Sequence, residues 1–445
     1  EAQELQEKGQ KDGPTMSDEE KGEVHGKNRV EKRIKDALDA RDKAIADREA
    51  FMKESQAKIE AIQAEGIVAT AKHFIGDGGT DRGIDQGDTR LSKDDLMTIH
   101  GQGYLSAIDA GVMTVMASFN SWNGDKIHGN SELLTTLLRD ELGFNGFVVS
   151  DWNGIGQLEG CEPDSCVQAI NAGIDMVMVP KDWRTLLHNM IEQVRAGAIA
   201  EARIDEAVSR ILKVKIQSGL MERGLPSRRA AAYSDAIGAE AHRELAREAV
   251  RRSLVLMKDP GGLLPLDPAG TYRIAGAGAD DIGLQSGGWT ISWQGTGNVN
   301  ADFPNGTSIL DGFIARASEA GGDVALYESD ETFTELDAVV MVMAEPPYAE
   351  GQGDMESLAW QQGRSRDLQK ILELREKGIP VVTLFLTGRP LWVNAELNAS
   401  DAFVIGWLPG SEGAAVAEVM MARADDAAHH DFEGRLPMPW PNHDL

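Results

Sequence analysis

The chain has 445 residues, 42% of them hydrophobic, and a formal net charge of -28, which is long enough for two domains with substantial cores. Such acidity offers no basic stripe to a phosphate backbone, so nucleic-acid binding is excluded and a neutral substrate fits better. No apolar run is long enough to enter and span a bilayer, and the first residues, Glu-Ala-Gln-Glu, carry no signal-peptide core, so an exported form has already lost its signal.

Residues 1–27 are polar, highly charged and interrupted by glycine, a composition that predicts a disordered segment. From 28 to 64 the apolar residues Val30, Ile34, Leu38, Ile45, Phe51, Ile59 and Ile62 recur near helical spacing among charged ones, which predicts an amphipathic helical extension. From 65 to 220 short apolar runs alternate with amphipathic ones. Strands are expected at Ile67–Phe74, Val112–Phe119, Phe147–Ser150 and Met176–Val179, and helices at Lys93–Ala110, Ser131–Leu142, Asp182–Ala196 and Ile204–Gln217. That alternation is the mark of a parallel β/α architecture.

Residues 221–241, rich in Arg, Ala and Ser, are expected to form a linker. From 242 to 445 the alternation resumes. A helix is expected at His242–Leu256, then strands at Tyr272–Ala275, Val324–Tyr327, Ala338–Met343, Val381–Leu386 and Ala402–Ile405, with helices at Ile309–Ala320, Asp367–Lys377 and Gly413–Ala422. The fold class is therefore α/β: a partial barrel-like domain followed by an open α/β sandwich. Loops that leave the carboxyl ends of such strands face ligands, and Glu345 and Glu350 lie just past one such end.

The segment Gly146-Phe147-Val148-Val149-Ser150-Asp151-Trp152 ends a buried β-run on a carboxylate followed by an indole. In barrel folds that end carries the chemistry, although an Asp there also serves as a helix cap. Cys161 and Cys166 are too close for a zinc knuckle, and their spacing allows either a small loop disulfide or two thiols. Gly276-Ala277-Gly278 follows a strand, but Gly283 comes too late to complete a dinucleotide turn. The histidines form no metal-binding pattern, so neither a cofactor nor a catalytic metal is implied.

Around Asp151 stand Ala71-Lys72-His73-Phe74-Ile75-Gly76-Asp77-Gly78-Gly79, Val115-Met116-Ala117-Ser118-Phe119-Asn120-Ser121-Trp122-Asn123-Gly124 and Ala172-Gly173-Ile174-Asp175-Met176. Further along come Ser286-Gly287-Gly288-Trp289-Thr290-Ile291-Ser292-Trp293-Gln294-Gly295 and Glu345-Pro346-Pro347-Tyr348-Ala349-Glu350-Gly351-Gln352-Gly353-Asp354. In this order the motifs closely resemble glycoside hydrolase family 3, of the exo-acting β-glucosidase and β-glucan exohydrolase type, from about Gly66 to near the C-terminus.

The resemblance implies a retaining hydrolase of terminal β-D-glucosyl residues in β-linked gluco-oligosaccharides, with Asp151 as nucleophile. Glu350, with Glu345 as the competing choice, is implied as acid/base. Lys72, His73 and Met116 would line the sugar site, Trp152 and Trp293 would clamp the glucosyl ring, and Trp289 would back the second wall. Trp122 and Trp407 read instead as core. Relatives are often periplasmic or secreted, which tips Cys161 and Cys166 toward a disulfide.

The family's barrel domain is normally about 250 residues, and the strands that precede Lys-His-Phe in relatives have no counterpart here. A half-barrel leaves one sheet face and one edge open. Residues 28–64 covering that face, or a homodimer pairing two half-barrels, are the two expected remedies. A catalytically impaired sugar-binding scaffold and a hydrolase of another β-glycoside, such as a xyloside, are the alternative functions.

Overall fold

The computed structural model describes residues 52–328, 335–363, 365–424 and 430–443, with helical backbone at scattered positions between 32 and 50. The expected disordered segment at 1–27 lies outside the described residues, as does much of the 28–64 helix, of which 52–64 is helical. The chain divides into two compact units, one up to Leu225 and the other from Pro226 on. Among the described residues no helix is long and apolar enough to cross a membrane.

In the first unit, β1 (Thr70–Phe74), β2 (Thr114–Ala117) and β3 (Phe147–Val149) form a parallel sheet in the order β1-β2-β3. Thr114 pairs with both Thr70 and Phe147, and Met116 with Val149. The expected strand at Met176–Val179 reduces to a single parallel bridge between Met176 and Val149. Close strand approach depends on Gly146, where an added Cβ would lie 2.0 Å from the Met113 carbonyl oxygen.

Side chains alternate across this sheet, as strand geometry requires. On one face Val115, Val148 and Ala117 pack with Leu96, Leu134, Leu138 and Ala169. On the other, Phe147 and Val149 pack with Met116, Met176 and Met178 and with Ile211 and Val214 of the helix Glu201–Gln217. That helix packs on the second face, whereas most of the 28–64 segment expected to cover the open face lies outside the described residues. Gln63, in the described part of that segment, holds the chain entering β2: its amide donates to the Gly111 carbonyl at 2.9 Å and accepts the Met113 N–H at 3.1 Å.

The helix expected at Lys93–Ala110 is two helices, α1 (Lys93–Ile99) and α2 (Gln102–Asp109). Ser92 caps the first by accepting the Asp95 N–H. At the break, a Cβ on Gly101 would lie 2.7 Å from the Met97 carbonyl oxygen, so only glycine lets the chain fold back so tightly.

Asp175 anchors the outer end of the sheet. Its carboxylate is fully buried, pairs with Arg139, with Arg203 at 2.8 Å and with Arg210 at 3.1 Å, and accepts the Val148 N–H at 2.9 Å. Removing one partner of a buried ion network leaves uncompensated charge, so Asp175→Asn is expected to cost about 3–5 kcal/mol. Urea unfolding checks this, through a lower midpoint at unchanged m-value.

The second unit holds six strands in the order β4-β9-β8-β7-β5-β6: β4 (Val255–Lys258), β5 (Thr271–Ala275), β6 (Asp323–Leu326), β7 (Ala338–Ala344), β8 (Val381–Leu386) and β9 (Ala402–Trp407). All neighbours are parallel except β4 with β9. Strands β7 and β8 are buried at every residue, which explains their continuous apolar runs. Val340, Val342, Val382 and Leu384 face helices Ile309–Ser318 and Ala414–Met420, while Val339, Met341 and Phe385 face Ile371 and Leu374. Each fully buried aliphatic side chain contributes roughly 1.5–3 kcal/mol.

Strand β4 departs from expectation, because the helix Glu240–Ser253 stops two residues before Val255 and the chain turns into the sheet edge. Val255 packs with Phe403 and Ile405, a tertiary contact that overrides local helical spacing.

Candidate active site

Strand β1 supplies Lys72 and His73, β2 supplies Met116, and β3 leads at once to Ser150, Asp151 and Trp152. Because the strands are parallel neighbours, their carboxyl ends open on one side and bring residues distant in sequence together. The Asp151 side chain is 13% exposed, with Oδ2 3.5 Å from His73 Nε2. Its Oδ1 accepts the Trp152 N–H at 2.7 Å. His73 Nδ1 lies 3.0 Å from Asp77 Oδ2, so the imidazole is oriented from both sides by carboxylates. Lys72 is exposed, Met116 is partly buried, and the Trp152 indole is 59% exposed.

Asp151 is also held through its backbone. Its N–H donates to His128 Nε2 at 2.9 Å, and its carbonyl accepts from the Ser150 hydroxyl and the Gly154 N–H. His128 is buried, which pushes its pKa down to about 4 against the opposing effect of its hydrogen bond to the Ser118 backbone. A neutral imidazole accepting at Nε2 carries its proton on Nδ1. Nearby, Trp122 is partly buried against the core and donates to the Leu91 carbonyl at 2.9 Å. Cys161 and Cys166 are joined in a disulfide with Cα atoms 4.9 Å apart.

In the second unit the two acids of one loop have opposite surroundings. Glu345 directly follows β7 and is buried; Oε1 accepts from Arg389 Nε at 2.8 Å and from its terminal nitrogen at 2.7 Å, and Oε2 accepts from the Thr387 hydroxyl at 2.9 Å. Arg389 also donates to the Gly353 carbonyl and lies over the Tyr348 ring, 3.9 Å from its centroid. Glu350 is exposed, and its Oε2 accepts the Trp293 indole N–H at 2.5 Å.

The indole-bearing loop lies directly against this acidic one. A Cβ on Gly288 would come within 1.9 Å of the Tyr348 carbonyl oxygen, so the approach requires glycine. Gln294 joins the two loops, its amide accepting the Ala349 N–H at 2.7 Å and donating to the Glu350 carbonyl at 3.3 Å. Trp289 and Trp293 are 69% and 55% exposed, with ring centroids 6.4 Å apart. Exposed indole faces of this kind suit stacking on the apolar face of a sugar ring. Trp407 packs with Trp440 and the core instead.

Sequence reasoning assigns no role to His128, Gln294, Thr387 or Arg389. Gln294 lies inside a quoted motif and was within reach. The other three stand in no pattern, because their roles depend on which strand ends become neighbours. Among the described residues no group of three or more His, Cys, Asp or Glu side chains could hold a metal ion.

Two α/β units, one ending a parallel strand on Asp-Trp and the other setting an acidic loop against two exposed indoles, have the features of a glycoside hydrolase scaffold. The chain belongs to glycosyl hydrolase family 3: residues 45–214 match its N-terminal domain and residues 254–445 its C-terminal domain. It is 32% identical over 407 residues to the lysosomal beta glucosidase of Dictyostelium discoideum, covering 85% of this chain and 48% of that protein. The periplasmic beta-glucosidase of Salmonella typhimurium is 28% identical, covering 88% and 54%. Among solved structures, the exo-1,3/1,4-beta-glucanase ExoP of a Pseudoalteromonas species is 50% identical with a TM-score of 0.81, covering 84% of this chain and 47% of that one. The chain thus spans about half the length of the curated relatives it matches.

Proposed function

We propose that this chain carries the catalytic residues of a retaining, exo-acting β-glucosidase that removes terminal β-D-glucosyl residues from β-glucan oligosaccharides. Asp151 attacks C1, forming a glycosyl ester as the glycosidic C–O bond breaks, and Glu350 protonates the departing oxygen. Glu350 then takes a proton from water, whose oxygen attacks C1 and releases glucose with retained configuration. The observation that carries this reading is the contrast between the loop acids. Glu345 has both oxygens engaged by Arg389 and Thr387, whereas Glu350 is exposed beside Trp293.

Likeness to an exo-1,3/1,4-beta-glucanase at 50% identity supports the substrate class. The Cys161–Cys166 disulfide and the likeness to a periplasmic enzyme support an oxidising compartment, the periplasm or the exterior. Incubation with a 2-deoxy-2-fluoro-β-glucosyl fluoride, which forms the ester but hydrolyses it slowly, is expected to label Asp151 in peptide mass spectrometry. The competing reading is a scaffold that binds sugar without turnover. Glucose binding with no label in folded protein would establish that reading instead, and a faster reaction with the corresponding xylosyl fluoride would reassign the sugar.

A further inference from the structure

We propose that His128 is a positioning residue for Asp151, a role that rests on the assignment of Asp151 as nucleophile. The imidazole reaches two strand ends: its ring centroid lies 5.9 Å from that of Phe119, next to Ser118 just past β2, and it accepts the backbone N–H of Asp151, just past β3, at 2.9 Å. Ser118 is itself tied to β1, its N–H donating to the Phe74 carbonyl at 2.7 Å. One buried ring therefore links the chain segments that present His73 and Asp151.

The surroundings are shaped to this ring. His128 is 1% exposed, and Gly154, three residues after Asp151, leaves the space the ring fills: a Cβ there would lie 2.5 Å from Nε2. Gly154 has no positive φ that would require glycine for backbone reasons. Its missing side chain is explained by contact with His128. The ring stays neutral because burial disfavours its charge, so the Nε2 lone pair stays available to the Asp151 N–H. Attack on C1 demands a carboxylate set to within a few tenths of an ångström, and misplacement by about 1 Å costs on the order of 100-fold in rate.

The test is the rate of labelling by the 2-deoxy-2-fluoro-β-glucosyl fluoride, whose fluoride departs with little acid assistance and which therefore reports nucleophilic attack. His128→Phe keeps a planar ring without nitrogen; its limiting labelling rate is expected to fall roughly 100-fold, with the saturation constant for the reagent little changed. His128→Gln returns an acceptor near Nε2 and should recover most of the lost rate. Should His128→Phe not fold, Gly154→Ala, which pushes on the ring, provides the same comparison. Labelling of the folded variants at the wild-type rate overturns the proposal, as does a loss in saturation alone. Failure of the wild-type protein to label is a separate outcome that overturns the Asp151 assignment and this role with it.

Discussion

Asp151→Ala is expected to lower kcat/KM on an aryl β-glucoside by at least about 10⁴-fold, because it removes the atom that forms the glycosyl ester and no neighbouring group replaces it. The loss should be chemical and not structural. The Asp151 backbone N–H still reaches His128, and the side chain gives up only its contacts with the Trp152 N–H and His73. Thermal unfolding should therefore change little. Added azide enters from the vacated face, so the variant should regain turnover and release α-glucosyl azide. Release of the β-anomer, or a variant that retains most of its activity, would remove Asp151 from the nucleophile role.

Glu350→Ala is expected to divide substrates by leaving group. On oligosaccharides, whose alkoxide leaves poorly, the loss should be about 10²–10⁴-fold, the usual contribution of a placed general acid. With dinitrophenolate, which needs little protonation, formation of the glycosyl ester should be nearly unaffected. Its hydrolysis now lacks a base, so the ester accumulates and KM falls. Azide should intercept that ester on the opposite face and give β-glucosyl azide. Glu345→Gln is the control. It weakens the Arg389 clamp and lowers all rates together, with an unchanged dependence on leaving group. If the leaving-group pattern follows Glu345 instead of Glu350, the two assignments within the loop exchange.

Those two residues also mark where sequence reasoning reached its limit. Both lie five positions apart in one loop after the apolar run Ala338–Ala344, and nothing in their spacing tells a buried, paired carboxylate from an exposed one. The difference comes from β8, whose parallel pairing with β7 carries Thr387 and Arg389 to the base of the same loop. Likewise, Ile127-His128-Gly129 has no distinguishing mark among nine histidines. Its function follows from the neighbouring ends of β2 and β3. The single helix expected at Lys93–Ala110 fails for a local reason, since Gly101 was an available break signal, whereas the early end of Glu240–Ser253 is a matter of sheet packing.

By itself, the sequence determined the alternating α/β plan, the buried central strands and the position of Asp151 at a strand end. These are properties of hydrophobic period, glycine placement and residue order, all local along the chain. Tertiary structure alone decided which face of the first sheet is covered by the helix Glu201–Gln217, which acid is clamped by Arg389, and which imidazole holds the backbone of Asp151. Those outcomes depend on pairs 23 or more residues apart, and strand register, not local preference, selects such pairs.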